Sequence, residues 1–300
     1  MSGSGRIALA VSALAAALVL AGCADPTSGL AEPDLARATD APDAPQLDDL
    51  PNEPAHKAAA RTIVAGTGEC LDSQHPGPVD CAEPHTVEVT KEGTFGGDLA
   101  GALTDTPPDD AAVFNQIFPQ CRQAAADYLG SDAYDASTLG AWLVWADADD
   151  WKAGNRWYRC GVAELDGDGQ AQTRSGSVRG ALAEDFGDYR LCSTTRPSAE
   201  LPRPVPCEES HVAEAVGVVG VGAPDSPPPS EREFDAKARN ACGTKVTEYV
   251  GEERRDVAPS WRWPDEINWR NGFTNITCYA EFQRPTSGSA QNPGSPTSPN

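Results

Sequence analysis

The chain has 300 residues and a formal charge of −22, with 45 Asp and Glu against 23 Lys and Arg. That length suits one or two domains. So acidic a surface repels nucleic acid and anionic membrane faces, which excludes nucleic acid as a partner.

From Arg6 the chain enters an apolar run, Ile7 to Ala21, that ends Leu20-Ala21-Gly22-Cys23. A short basic start, an apolar stretch and a small-small-Cys ending describe a bacterial lipoprotein signal over residues 1–22. The run is too short for a span of about 20 residues. Cys23 is therefore the expected lipidation site, which anchors the mature chain to the cell membrane on its extracytoplasmic face. Residues 23–60 are rich in Pro and acid with no apolar period, and read as a disordered tether.

Beyond the tether lie Cys70, Cys81, Cys121, Cys160, Cys192, Cys207, Cys242 and Cys278. An even number in an exported chain reads as disulfides, and no spacing is the CxxC of a zinc or redox site.

Three patterns recur in the same order. Cys81, Glu83, His85 and Glu88 match Cys207, Glu209, His211 and Glu214 as C-x-E-x-H-x-x-E. Cys121, Tyr128 and Gly130 match Cys242, Tyr249 and Gly251. Trp145, Trp151, Gly154 and Cys160 match Trp263, Trp269, Gly272 and Cys278. Two homologous domains are expected, over 61–188 and 189–283. Duplication requires one disulfide pattern in both copies: Cys70–Cys81 and Cys192–Cys207 across a turn, Cys121–Cys160 and Cys242–Cys278 from helix to last strand.

Each copy follows one plan. A short strand holds the first cysteine, and a Pro-rich turn follows. The second cysteine opens another strand, TVEVTKEGTF or VAEAVGVVGV, by its alternation and β-branched content. A helix comes next, with a capping box at Ser230 and Glu233 in copy two and a C-terminal stop at Gly251. In copy one Pro119 predicts a kink or restart. A Trp-rich segment and a strand through the fourth cysteine close the unit. The expected fold class is α+β: two tandem small disulfide-stapled domains, each an antiparallel sheet with one packed helix. Residues 284–300, rich in Pro, Ser and Gly, read as a disordered tail.

The stretches GECLD at 68–72 and VDCAEPH at 79–85, with the W…W-x2-G-x5-C ending and Gly176-Ser-Val-Arg-Gly180 after it, resemble the septum-formation domain family of actinobacterial envelope proteins. The resemblance implies a place in septum or envelope assembly and no known reaction. Copy two departs from it: Ser210 stands before His211, and no GSxxG element is expected after Cys278.

The candidate interaction residues are Glu83, His85, Glu88 and His211. Along an extended strand Glu83 and His85 share a face with Cys81, and Glu88 points to the other. The other histidines, His56 and His75, lie in the tether and the first turn, so no metal and no other cofactor is expected. Asp166-Gly-Asp168-Gly reads as a turn and Asp147-Ala-Asp149-Asp150 as a solvated acidic loop, both short of a calcium loop. Trp145, Trp151, Trp263 and Trp269 read as core by their repeated spacing. Trp142, Trp157 and Trp261 read as the surface tryptophans. No nucleophile motif appears. The expected function is that of a non-catalytic lipid-anchored scaffold or binding factor with an envelope or divisome protein partner, its interaction surface on copy one beside His85. The rival readings are a wall-acting enzyme using Glu83 and Glu88, and a ligand or metal sensor.

Overall fold

The computed structural model describes residues 63–100, 106–251 and 254–291. The expected signal peptide, Cys23 and the expected tether lie outside them, as do residues 292–300. Among the described residues no helix is long and apolar enough to cross a membrane.

Two antiparallel five-stranded sheets form, and their strand orders correspond. The first runs β2 (His75–Val79), β1 (Cys70–Asp72), β3 (Val87–Thr94), β5 (Trp157–Glu164), β4 (Leu139–Trp145). The second runs β7 (Pro204–Val205), β6 (Cys192–Ser193), β8 (His211–Gly220), β10 (Asn275–Thr286), β9 (Val257–Arg262). The fold is α+β, in two small domains. The Pro-rich stretches expected as plain turns contain the edge strands β2 and β7. Proline is tolerated there because an edge needs fewer ladder donors.

One long helix packs on each sheet: α1 (Asp110–Leu129) and α3 (Glu231–Val250). Asp109 caps α1 by accepting from Ala112 N at 2.9 Å, and Glu233 accepts from Ser230 N at 2.9 Å to start α3. Both helices stop at a left-handed glycine, Gly130 and Gly251, the conformation that a residue lacking Cβ adopts without penalty. Helix α1 runs through Pro119 without a restart. Asn115, whose carbonyl loses its partner there, is at an exposed position. Two short helices carry the core tryptophans: α2 (Ala148–Lys152) holds Trp151 and α4 (Glu266–Arg270) holds Trp269. The acidic stretch expected as a loop is the capped start of α2, since Asp147 accepts from Asp149 N and Asp150 N. Asp166 does close a turn, accepting from Asp168 N and Gln170 N.

Four disulfides join Cys70–Cys81, Cys121–Cys160, Cys192–Cys207 and Cys242–Cys278, the pairing that duplication required. The second and fourth fasten α1 to β5 and α3 to β10. Each contributes about 2–4 kcal/mol by restricting the unfolded chain.

The two domains share a core: Ala215, Phe273 and Tyr279 of the second belong to the apolar cluster of the first. At the seam Arg122 of α1 bonds Asp135 at 2.7 and 2.8 Å and donates to the Gly272 carbonyl at 2.9 Å. Its guanidinium lies 3.8 Å over the Phe273 ring. Burial opposes the charge on Arg122, but the adjacent Asp135 outweighs it and raises the pKa above its ordinary value. Gly272 is required by this approach: it has φ of 93°, and a Cβ there would stand 3.0 Å from Pro119 Cα.

Trp145, Trp151 and Trp269 are buried as their spacing predicted, but so are Trp142 and Trp157, which read as surface residues. Both sit on strands of the first sheet, and Trp157 Nε1 donates to Asp150 Oδ2 at 3.0 Å. Trp261 and Trp263 are half-buried.

Candidate functional site

The repeated C-x-E-x-H-x-x-E motif is not laid out on one strand. Cys81 and Glu83 sit in a turn after β2, and β3 begins only at Val87. The turn swings His85 inward, so that it meets Glu88 rather than sharing a face with Glu83. His85 and Glu88 are each 1 % exposed, and His211 is 1 % exposed. Of the four candidate interaction residues only Glu83 is exposed. His85, Glu88 and His211 therefore offer a partner no surface, because each is enclosed by its own domain.

Glu88 is the centre of a buried clasp. Its Oε2 accepts from Tyr128 Oη and Ser177 Oγ, each at 2.7 Å. Its Oε1 accepts from Arg174 Nη1 at 2.6 Å and Val178 N at 2.7 Å. Gly176 N donates to the Cys81 carbonyl at 2.6 Å, and His85 and Arg174 exchange backbone bonds at 2.9 Å. The carboxylate thus fastens the 174–178 segment over the end of the first sheet. Burial foremost, with the Glu88 bond and charge, raises the Tyr128 phenol, although Ser177 opposes this. A phenol so raised remains a donor at neutral pH.

The second domain rebuilds the clasp with the segment expected to be disordered. Glu214 accepts from Tyr249 Oη and from Ala290 N at 3.0 and 3.1 Å. Ser289 Oγ lies 2.8 Å from Tyr249 Oη, and Gly288 N donates to the Cys207 carbonyl at 2.6 Å. Ser175-Gly176-Ser177 and Ser287-Gly288-Ser289 are thus equivalent. One expectation is corrected here: the tail does not begin at residue 284, because Glu214 holds the chain in place through residue 290. No GSxxG follows Cys278, as read, but a Ser-Gly-Ser fills the same place. The repeated Ser-Gly-Ser is the signal that low-complexity composition hid.

The clasps differ in charge partner. Arg174 pairs with Glu88, whereas Thr286 stands at the corresponding place opposite His211. Glu214 instead faces His211 Nε2 at 3.0 Å, and His211 Nδ1 faces the Glu209 carbonyl at 2.8 Å. In the first clasp His85 Nε2 is 3.7 Å from Glu88 Oε1, too far for a hydrogen bond. Among the described residues, two groups bring three metal-ligand types within 4.8 Å: Cys70, His85 and Glu88, and Cys192, His211 and Glu214. Their cysteines are disulfide-bonded.

An open groove of about 420 Å³ lies on the second domain beside α4. Pro229, Trp263 and Ile267 line it, with Glu231 and Glu266 at its edge. Ile267 is 60 % exposed, and Trp263 stacks on Phe234 with centroids 5.6 Å apart. The first domain lacks this groove's elements: Trp145 is fully buried and Asp149 stands where Ile267 does.

Paired sheets, four disulfides and two buried carboxylate clasps define a disulfide-stapled α+β protein. A family model described as septum formation matches residues 66–278, a stretch that takes in the first sheet and all of the second but most of β10, and the chain belongs to that family. No curated protein and no solved structure matches it.

Proposed function

We propose that the protein is a lipid-anchored, extracytoplasmic binding factor in division-septum or envelope assembly, and that it recognises a partner without catalysing a reaction. Family membership supports the process. The two sheets, read with the sequence repeat, support descent of both domains from one ancestral unit. The carboxylates an enzyme would have used are poorly suited to acid–base work: Glu88 has both oxygens occupied, and Glu83 is exposed in a turn.

The observation that carries the reading is the groove at Trp263 and Ile267. An exposed isoleucine beside a half-buried tryptophan and prolines is a surface that gains by being covered. Glu231, Glu266 and the charge of −22 select for a basic occupant. The occupant assigned is a basic, apolar segment of an envelope protein, on the second domain rather than the first. A photo-reactive amino acid at position 267 is expected to cross-link, in cells, to a protein peptide rich in Lys or Arg and apolar residues. A synthetic copy of that peptide should bind the purified protein and lose affinity with added salt. Cross-links to wall glycan alone would reject the reading.

Anchoring is tested separately. Cys23→Ala is expected to move the protein from the membrane to the soluble fraction, because acyl chains supply about 0.8 kcal/mol per buried CH₂ and the acidic tether offers no substitute. A variant that still sediments with membranes would refute the anchor.

A further inference from the structure

The groove at Trp263 and Ile267 is selective in what it offers a ligand. Trp263 stacks on the buried Phe234 ring, with the two planes 3° from parallel. One face of the indole is thus covered from inside the domain. The part left exposed borders the groove with Pro228, Pro229, Pro264 and Ile267. Phe234 is braced in turn by Trp269, edge-on with centroids 6.0 Å apart. A platform held this way stacks a further ring without reorganising first.

Backbone partners are scarce in the same place. The three prolines have no N–H. Ser230 N is taken by Glu233 Oε2 at 2.9 Å, Asn268 N by Asp265 Oδ1 at 2.8 Å, and Trp269 N by the Asp265 carbonyl at 2.8 Å. The edge strand β9 stops at Arg262, short of Trp263. A ligand strand would find no ladder to join. A polyproline II segment asks for none, since its backbone stays in water and its side chains return to one face every third residue.

The charge is placed for one cation. Glu231 is exposed, and its carboxylate has no ion pair among the described residues. Its neighbours are engaged: Asp265 caps α4, and Glu266 pairs with Arg270 one turn on.

We propose, resting on the reading of this groove as the recognition site, that its ligand is a proline-rich segment in the polyproline II conformation. Two prolines three residues apart lie over Trp263 and Ile267, and a flanking Arg or Lys pairs with Glu231. The first domain is the internal control. Counted from the N-caps Asp109 and Ser230, it keeps Pro107, Pro108 and Asp110 but has Val113 where Phe234 stands. Its Trp145 is fully buried. It presents prolines and acid without an exposed ring, so it is expected to bind no such segment.

The test titrates purified protein, labelled with nitrogen-15 and at the isoleucine methyls, with three acetylated peptides of equal charge. The first is Arg-Ala-Leu-Pro-Ala-Leu-Pro-amide. The second has alanine for both prolines. The third is a helix-forming peptide of Leu, Ala and one Arg. The first is expected to shift the Trp263 indole N–H and the Ile267 methyl signals at concentrations up to about 1 mM, and to leave Trp145 unmoved. The second should bind about tenfold more weakly or worse, because it lacks both the rings and the preset backbone. Glu231→Gln, a change at an exposed position, should weaken the first peptide about two- to fivefold and flatten its salt dependence. Equal affinity of the first two peptides, or tighter binding of the helix former at the same two residues, would overturn the polyproline assignment and leave the groove as the recognition site. No response of Trp263 or Ile267 to any of the three would overturn both.

Discussion

Glu88→Ala is expected to cost about 3–5 kcal/mol of folding stability, the loss that follows when one partner of a buried ion pair is removed. It takes from the largely buried Arg174 guanidinium the carboxylate 2.6 Å away and leaves it only the more distant Glu164, at 3.5 Å. It also leaves Tyr128 Oη, Ser177 Oγ and Val178 N without their acceptor. At about 2–4 °C per kcal/mol for a chain of this size, the melting temperature falls by on the order of 10 °C. Glu83→Ala, four residues before the start of β3 and exposed, is expected to change stability by no more than about 0.5 kcal/mol. Equal melting of both variants and the wild type would show that the clasp is not structural.

Arg122→Ala is expected to cause a loss of similar size, about 3–5 kcal/mol, for a related reason. Asp135 is left buried and charged, the Gly272 carbonyl loses its donor, and the Phe273 ring loses the guanidinium stacked on it. The effect crosses the seam, because Gly272 and Phe273 belong to the second domain and Arg122 to the first. Replacing the pair by apolar residues, Arg122→Met with Asp135→Leu, should cost less than Arg122→Ala, since no buried charge is then unpaired. Denaturant midpoints of the three proteins check this. A double variant weaker than Arg122→Ala would mean that the pair's geometry matters beyond its charge balance.

Much of the scaffold was legible in the sequence because it is written in short-range chemistry and written twice. Cysteine spacing, the Ser230–Glu233 capping box and helical periodicity through Phe234, Ala238, Cys242, Val246 and Tyr249 all describe local structure, and each appears in the fold. The site was less legible because it is assembled across distance. Arg174 and Val178 N reach Glu88 from 86 and 90 residues away, and Ala290 reaches Glu214 from 76. No period or propensity encodes such a contact. The face assignment of Glu83, His85 and Glu88 failed for a local reason: it presumed extended backbone where Asp80–Glu83 make a turn, with Glu83 N bonded to the Asp80 carbonyl at 2.8 Å. The tail was misread because Ser-Gly-Ser within a Pro-rich stretch has the composition of a linker, yet Tyr249 and Glu214 supply partners that composition does not register. Trp142 and Trp157 were misplaced because their neighbours across the sheet, Gly161 and Thr94, are small and are not visible from sequence spacing.

The central claim is that recognition resides in the groove at Trp263 and Ile267 and not at the His–Glu repeat. Septal enrichment of a fluorescent, lipidated Ile267→Asp protein tests it most directly. Ile267 is exposed, so the substitution leaves the melting temperature at the wild-type value. The account predicts that this stable variant stays on the membrane and loses its enrichment at the septum. Septal enrichment equal to wild type, at equal expression and stability, would contradict it.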